Sequence, residues 1–132
     1  DIQVAHETAL KDKISQLSEM KNLVSEAERI LTCKQDLSEF GKLLDYTWRL
    51  KRGITDKISN DSIDSLYLKA VNAGASGGKL LGAGGGGFLL FYVEEDKQVS
   101  VRKALSSLME VPFSFENSGT SVLYYSPENY EK

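Results

Sequence analysis

The chain holds one cysteine, one histidine and two prolines in 132 residues. A single cysteine, Cys33, excludes an internal disulfide and fits a reducing, cytoplasmic setting. One cysteine and one histidine also exclude a Cys/His zinc site and leave no Ser-His-Asp or Cys-His arrangement. His6, near the start, has no evident partners in the sequence. No apolar run approaches the ~18 residues that a membrane span needs, so no membrane association is expected. Positive charge is also short: 16 Lys and Arg against 19 Asp and Glu give a net charge of −3. A general nucleic-acid binder needs the opposite balance to displace counterions from phosphates, so no nucleic-acid partner is expected. The chain opens Asp1-Ile2-Gln3, without Met and without a signal-peptide pattern, which suggests a fragment or a processed product.

What is present has the length of one domain with one core. Apolar residues recur every three or four positions at Leu10, Ile14, Leu17, Met20, Val24, Ala27 and Leu31, predicting one helix over about the first 30 residues. Asp36, with Glu39 three residues on, reads as a capping box opening a second helix with stripe Leu37, Phe40, Leu44, Trp48 and Leu50. Lys51 and Arg52 suit its C-terminal end, and Gly53 can terminate it. Asp61 can cap a third helix carrying Ile63, Leu66, Ala70 and Val71, ending at Gly74.

The texture then changes. Residues 74–87 contain eight glycines and no proline. Phe88–Val93 is an apolar run of strand length, with Lys79–Leu81 as the strand before it. Residues 96–109 read as a helix with Val99, Leu105 and Leu108 inward. A second hairpin is expected from the Phe113/Phe115 strand, the turn Asn117-Ser118-Gly119 and the Val122–Tyr125 strand. The fold class is therefore α+β, a four-stranded antiparallel sheet with helices on one face and a long N-terminal helix. The apolar stripe of that first helix implies packing on a missing domain or on a second copy, as in a homodimer.

The segment that points to function is Gly77-Gly78-Lys79-Leu80-Leu81-Gly82-Ala83-Gly84-Gly85-Gly86-Gly87-Phe88. It fails the Walker A pattern, since Leu80 follows Gly78-Lys79 and Ala73 stands where the first Gly is needed. Gly82, Gly84 and Gly87 match G-x-G-x-x-G, but that motif must open a helix and this one opens a strand. A tight hairpin needs one or two glycines, and each extra glycine raises the entropy lost on folding. Two readings stay open: a plain turn, or a loop whose bare N–H groups face an anion.

The run Lys79 to Phe88 resembles the third conserved motif of GHMP kinases, a Lys-x-x-Gly-Ala-Gly-Gly-Gly-Gly-like sequence at a strand–loop–strand junction. Leu44-Asp45-Tyr46-Thr47-Trp48-Arg49-Leu50-Lys51-Arg52 with Ile58-Ser59-Asn60 is similar to the heptose-phosphate kinase branch, fucokinase domains being more distant. Val111-Pro112-Phe113-Ser114-Phe115-Glu116 and Tyr124-Tyr125-Ser126-Pro127 fit the same branch. The resemblance spans most of residues 10–127 and implies that residues 1–132 form a GHMP kinase C-terminal domain of ferredoxin-like type. It implies ATP and Mg²⁺ as cofactors, held mainly by an N-terminal kinase domain of the same parent chain. That domain's Pro-x-x-x-Gly-Leu-Gly-Ser-Ser loop is absent from these 132 residues, as are its catalytic acid and its metal ligands.

By resemblance, Gly82, Gly84, Gly85, Gly86 and Gly87 would lie near the transferred phosphate. The implied substrate is D-glycero-D-manno-heptose 7-phosphate, for nucleotide-activated heptose and surface polysaccharide, with this chain inactive alone. Lys79 is either a cation for phosphate or a solvated strand residue. Trp48 with Lys51 and Arg52 is either a sugar-phosphate surface or a core tryptophan beside a basic helix end. A stand-alone anion-binding or regulatory module, and an interaction domain with a plain turn, are the competing classes.

Overall fold

The computed structural model describes residues 2–33, 36–54, 59–82 and 86–122. Four helices, α1 (Ile2–Thr32), α2 (Leu37–Ile54), α3 (Asp61–Asn72) and α4 (Gln98–Ala104), accompany two strands, β1 (Ala75–Leu81) and β2 (Phe88–Val93).

Local chemistry sets the helix ends. At the start of α2 the Asp36 carboxylate accepts the Ser38 N–H at 2.9 Å. The reciprocal half of the expected capping box is not made, because Glu39 instead takes the Lys42 ammonium at 2.6 Å. The α2 helix continues through Gly53 to Ile54. The α3 cap is Asn60, whose side chain accepts from the Ile63 N–H at 3.0 Å. Asp61, expected as the cap, is the first helical residue, where its charge suits the helix N-terminus.

β1 and β2 form an antiparallel pair with Leu81 opposite Phe88 and Lys79 opposite Leu90. β1 begins four residues earlier than the sequence suggests, because Gly77 and Gly78 lie inside it. Glycine weakens a strand, but here α2 demands it. A Cβ at Gly77 would sit 2.0 Å from the Gly41 carbonyl oxygen, and one at Gly41 would sit 2.5 Å from Ser76 Cβ. Helix and strand backbones meet directly at this point.

Above that contact lies the core. Trp48, Ile63, Tyr67 and Leu80 form one cluster, with Leu89 and Phe91 against it. The Trp48 and Tyr67 rings stack at 5.1 Å. Ala70, Ala75 and Val101 form a second cluster, with Val93 and Leu105 packed on it.

Most of the apolar stripe of α1, expected to pack outside this domain, is exposed, and two other expectations need correction. The α1 residues turned inward are Ile30, which is buried, and the half-buried Met20, Leu23 and Ala27. Leu10, Ile14, Leu17, Val24 and Leu31 are all more than half exposed. The helix carries two apolar stripes about one residue, or ~100°, apart, and α2 covers only one. In α4, Val99 is 75% exposed while Val101 is 5% exposed. That helix is one short piece, preceded by a 3-10 turn over Glu95–Lys97, so its phase is set by the buried Val101 and by Leu105. Leu108 lies beyond its end and is exposed.

Finally, residues 109–122 form no strand. Phe113 and Phe115 pack only edge-to-face on each other, 5.8 Å apart, and Phe115 is 91% exposed. The sheet therefore has two strands among the described residues, and the α+β class stands. Leu123, Tyr124 and Tyr125 of the expected last strand lie outside the described residues.

Candidate functional site

The glycine loop joins the last pair of the β1–β2 ladder, Leu81 and Phe88. Gly82 and Gly87 have φ of +124° and +120°, a region that L side chains avoid. A Cβ at Gly87 would also sit 2.2 Å from the Leu81 carbonyl oxygen. These two glycines are therefore required by the turn itself.

Gly86 is different. A Cβ there would meet nothing within 4 Å among the described residues. Among the described residues no contact requires glycine at 86. Gly84 and Gly85 lie outside the described residues.

α2 carries the other predicted residues to this end of the domain. It runs beside β1 in the same sense, with Gly41 against Ser76 and Trp48 against Leu80. Its last turn, with Lys51 and Arg52, thus lies towards the loop. The Arg52 guanidinium pairs with Asp64, and Ser59 donates to the same carboxylate at 2.7 Å. Arg52 consequently ties α2 to α3, while Lys51 is exposed. Lys79 is exposed on β1, on the sheet face opposite the buried Leu80. Trp48 lies in the core, 3% exposed, against Tyr67, so its ring is not part of the surface that Lys51 presents. Its indole N–H finds no acceptor among the described residues.

Sequence reasoning missed the polar network beneath the loop strand. The Tyr67 hydroxyl donates to Asp45 at 2.9 Å and accepts the Gly78 N–H at 3.2 Å. The other Asp45 oxygen takes Arg49 at 2.8 Å. Burial first, and then the Asp45 carboxylate, push the Tyr67 phenol well above its ordinary value. It stays protonated and holds β1 to α2 and α3. The available signal was its position on α3, four residues after Ile63 and three before Ala70 on the inward stripe.

For a metal the donor set is thin. Among the described residues no group of three or more His, Cys, Asp or Glu side chains lies together. An ATP phosphate fits better: the exposed backbone at Gly86 has no side chain to keep an anion away.

The site is thus an α+β domain's hairpin whose described loop residues, Gly82, Gly86 and Gly87, carry no side chain. The family described as "GHMP kinases C terminal" matches residues 20–111, and the chain belongs to that family. It is similar to D-glycero-alpha-D-manno-heptose 7-phosphate kinase of Campylobacter jejuni, 38% identical over 72 residues, covering 54% of this chain and 21% of the relative. It is also similar to the bifunctional fucokinase/GDP-fucose pyrophosphorylase of Arabidopsis thaliana, 32% identical over 102 residues, covering 76% of this chain and 9% of the relative. Among solved structures, mevalonate kinase of L. major in complex with R-mevalonate shares the fold, with a TM-score of 0.58 at 24% identity. That match covers 76% of this chain and 34% of the other. The chain thus spans about a fifth of the heptose 7-phosphate kinase and a third of the mevalonate kinase.

Proposed function

We propose that this chain is the C-terminal domain of a cytoplasmic, ATP-dependent sugar-phosphate kinase. Its acceptor is D-glycero-D-manno-heptose 7-phosphate, and its product feeds nucleotide-activated heptose for surface polysaccharide. The observation that carries the reading is Gly86, a glycine that no described contact requires, in a family whose members are kinases. The choice of acceptor is supported by the 38% identity to a heptose 7-phosphate kinase.

Phosphoryl transfer is largely positioning and stabilisation of charge on the phosphoryl oxygens. ATP with Mg²⁺ supplies the phosphoryl group. The loop Gly82–Gly87 contributes backbone N–H groups from one side of the cleft and keeps water out. Lys79 and Lys51 are the exposed cations on the loop strand and at the loop end, available to the acceptor's phosphate. Arg52 pairs with Asp64 through one guanidinium nitrogen and keeps further N–H donors for the same phosphate. The ATP-binding domain of the same protein supplies the catalytic acid and the metal ligands, so this chain alone does not turn over. In this reading the four-stranded, ferredoxin-like sheet belongs to the whole kinase, in which further strands add to the β1–β2 pair.

The test is phosphoryl transfer to a panel of sugars and sugar phosphates, for this chain and for the whole protein. Transfer by the whole protein alone, to heptose 7-phosphate, supports the reading. Transfer to a different sugar phosphate refutes the acceptor but keeps the kinase. No transfer to any of them refutes both.

A further inference from the structure

The ion pair of Arg52 and Asp64 sits where two helices reach the glycine-loop end together. On α2, Gly41, Asp45, Trp48 and Arg52 are spaced by three or four residues and so share one face. The first three meet β1 in order. A Cβ at Gly77 would lie 2.0 Å from the Gly41 carbonyl oxygen and 2.6 Å from the Asp45 nitrogen, and Trp48 packs with Leu80. Arg52 is the next residue on that face, about 6 Å beyond Trp48, which equals about two strand residues past Leu80. That is the level of Gly82, where the loop begins.

Helix α3 arrives at the same level from the opposite sense. Ala70 packs with Ala75, the Tyr67 hydroxyl meets the Gly78 N–H, and Ile63 packs with Leu80. α3 therefore runs antiparallel to β1, and its first turn, which carries Asp64, lies at the loop end.

The two partners are held unequally. Asp64 is the more buried, its side chain 19% exposed against 45% for Arg52. One of its oxygens takes Arg52 Nη2, and the other accepts from the Ser59 hydroxyl at 2.7 Å. Both oxygens are engaged, which fixes the carboxylate. Arg52 Nε and Nη1 have no partner among the described residues. A guanidinium fixed at one nitrogen keeps its other N–H donors in a rigid fork, a geometry that phosphate oxygens accept.

Resting on the kinase reading above, we propose that Asp64, itself fixed by Ser59, is a positioning residue that holds the Arg52 guanidinium at the loop end for a phosphate group, the acceptor's own in that reading. An unclamped arginine has more side-chain freedom to lose when it takes an anion. Removing the carboxylate therefore weakens the phosphate site, although it also removes a negative charge. The charge effect is the smaller one, because water screens a pair whose arginine is nearly half exposed.

Calorimetric titration of the whole protein with heptose 7-phosphate, with ATP and with inorganic phosphate tests this. It compares the parent sequence, Asp64→Asn, Arg52→Gln and the double variant. Asp64→Asn is expected to weaken heptose 7-phosphate at least about tenfold. Arg52→Gln weakens it at least as much, and Asp64→Asn adds no further loss once Arg52 is gone. If ATP weakens in place of the sugar phosphate, with the same non-additivity, Asp64 keeps its role and the phosphate is the nucleotide's. Unchanged affinity for all three ligands in Asp64→Asn overturns the proposal. Tighter binding also overturns it, since Asp64 would then compete with the phosphate for Arg52. An equal loss with and without Arg52 overturns it too, since Asp64 would then act on the fold alone. Ser59→Ala leaves both charges in place and answers if Asp64→Asn does not fold: a smaller loss that depends on Arg52 supports the clamp, and no loss overturns it. A protein that transfers phosphate to no sugar, yet binds inorganic phosphate through Arg52 and Asp64, keeps the clamp and removes the functional reading instead.

Discussion

The Tyr67 hydroxyl accepts the backbone N–H of Gly78 at 3.2 Å, inside the strand that leads to the glycine loop. The same hydroxyl donates to Asp45, so one phenol satisfies a strand amide and a helix carboxylate. Tyr67→Phe removes both bonds and strands a buried N–H. The expected loss is about 1–3 kcal/mol in chemical denaturation. A change within a few tenths would show that the network is ornamental.

The alkaline limb follows from the same group. The folded phenol titrates above its ordinary value of 10.0, so the folded state holds its proton where the unfolded chain has lost it. Its contribution is complete below pH 10 and is lost as pH rises beyond it. Denaturation midpoints should fall above about pH 10, and fall less steeply in Tyr67→Phe. Equal slopes in both proteins would contradict the assignment.

Backbone contact between α2 and β1 makes Gly77 intolerant. Gly77→Ala drives a methyl into the Gly41 carbonyl oxygen and should cost about 1–3 kcal/mol or more. Unchanged thermal stability would mean that the helix and strand do not meet as described.

Helix α4 separates the two valines. Val101→Ala deletes buried methyl groups and is expected to cost about 1.5–2.5 kcal/mol. Val99→Ala should stay within about 0.5 kcal/mol, as a surface change does. Reversed costs would restore the phase that the sequence suggested.

How far the sequence was legible depended on where one local pattern had one interpretation. The helices α1 to α3 were legible because their stripes run for several turns, and α2 and α3 open on short polar caps. Two apolar stripes lie a residue apart on α1, and only the packing of α2 decides which of them is covered. α4 was too short for its period to fix a phase. Phe113 and Phe115 alternate as a strand should, yet in the structure they pair with neither β1 nor β2, and alternation alone cannot decide whether a segment joins a sheet. At the site, the loop could be read from its excess of glycine. The sequence could not show which glycines the turn consumes, because that depends on the carbonyl of Leu81. Nor could it show that Arg52 is held by Asp64, which follows from how α2 and α3 cross.

The most direct test of the central claim is Gly86→Ala in the whole kinase, with melting temperature and kcat/KM measured side by side. A methyl at Gly86 meets open space in the folded hairpin, so the melting temperature should hold. If that space belongs to a phosphate, kcat/KM should fall at least about tenfold, since small misplacements at a reacting group are costly. Unchanged kcat/KM with unchanged melting would contradict the claim and leave the loop a plain turn.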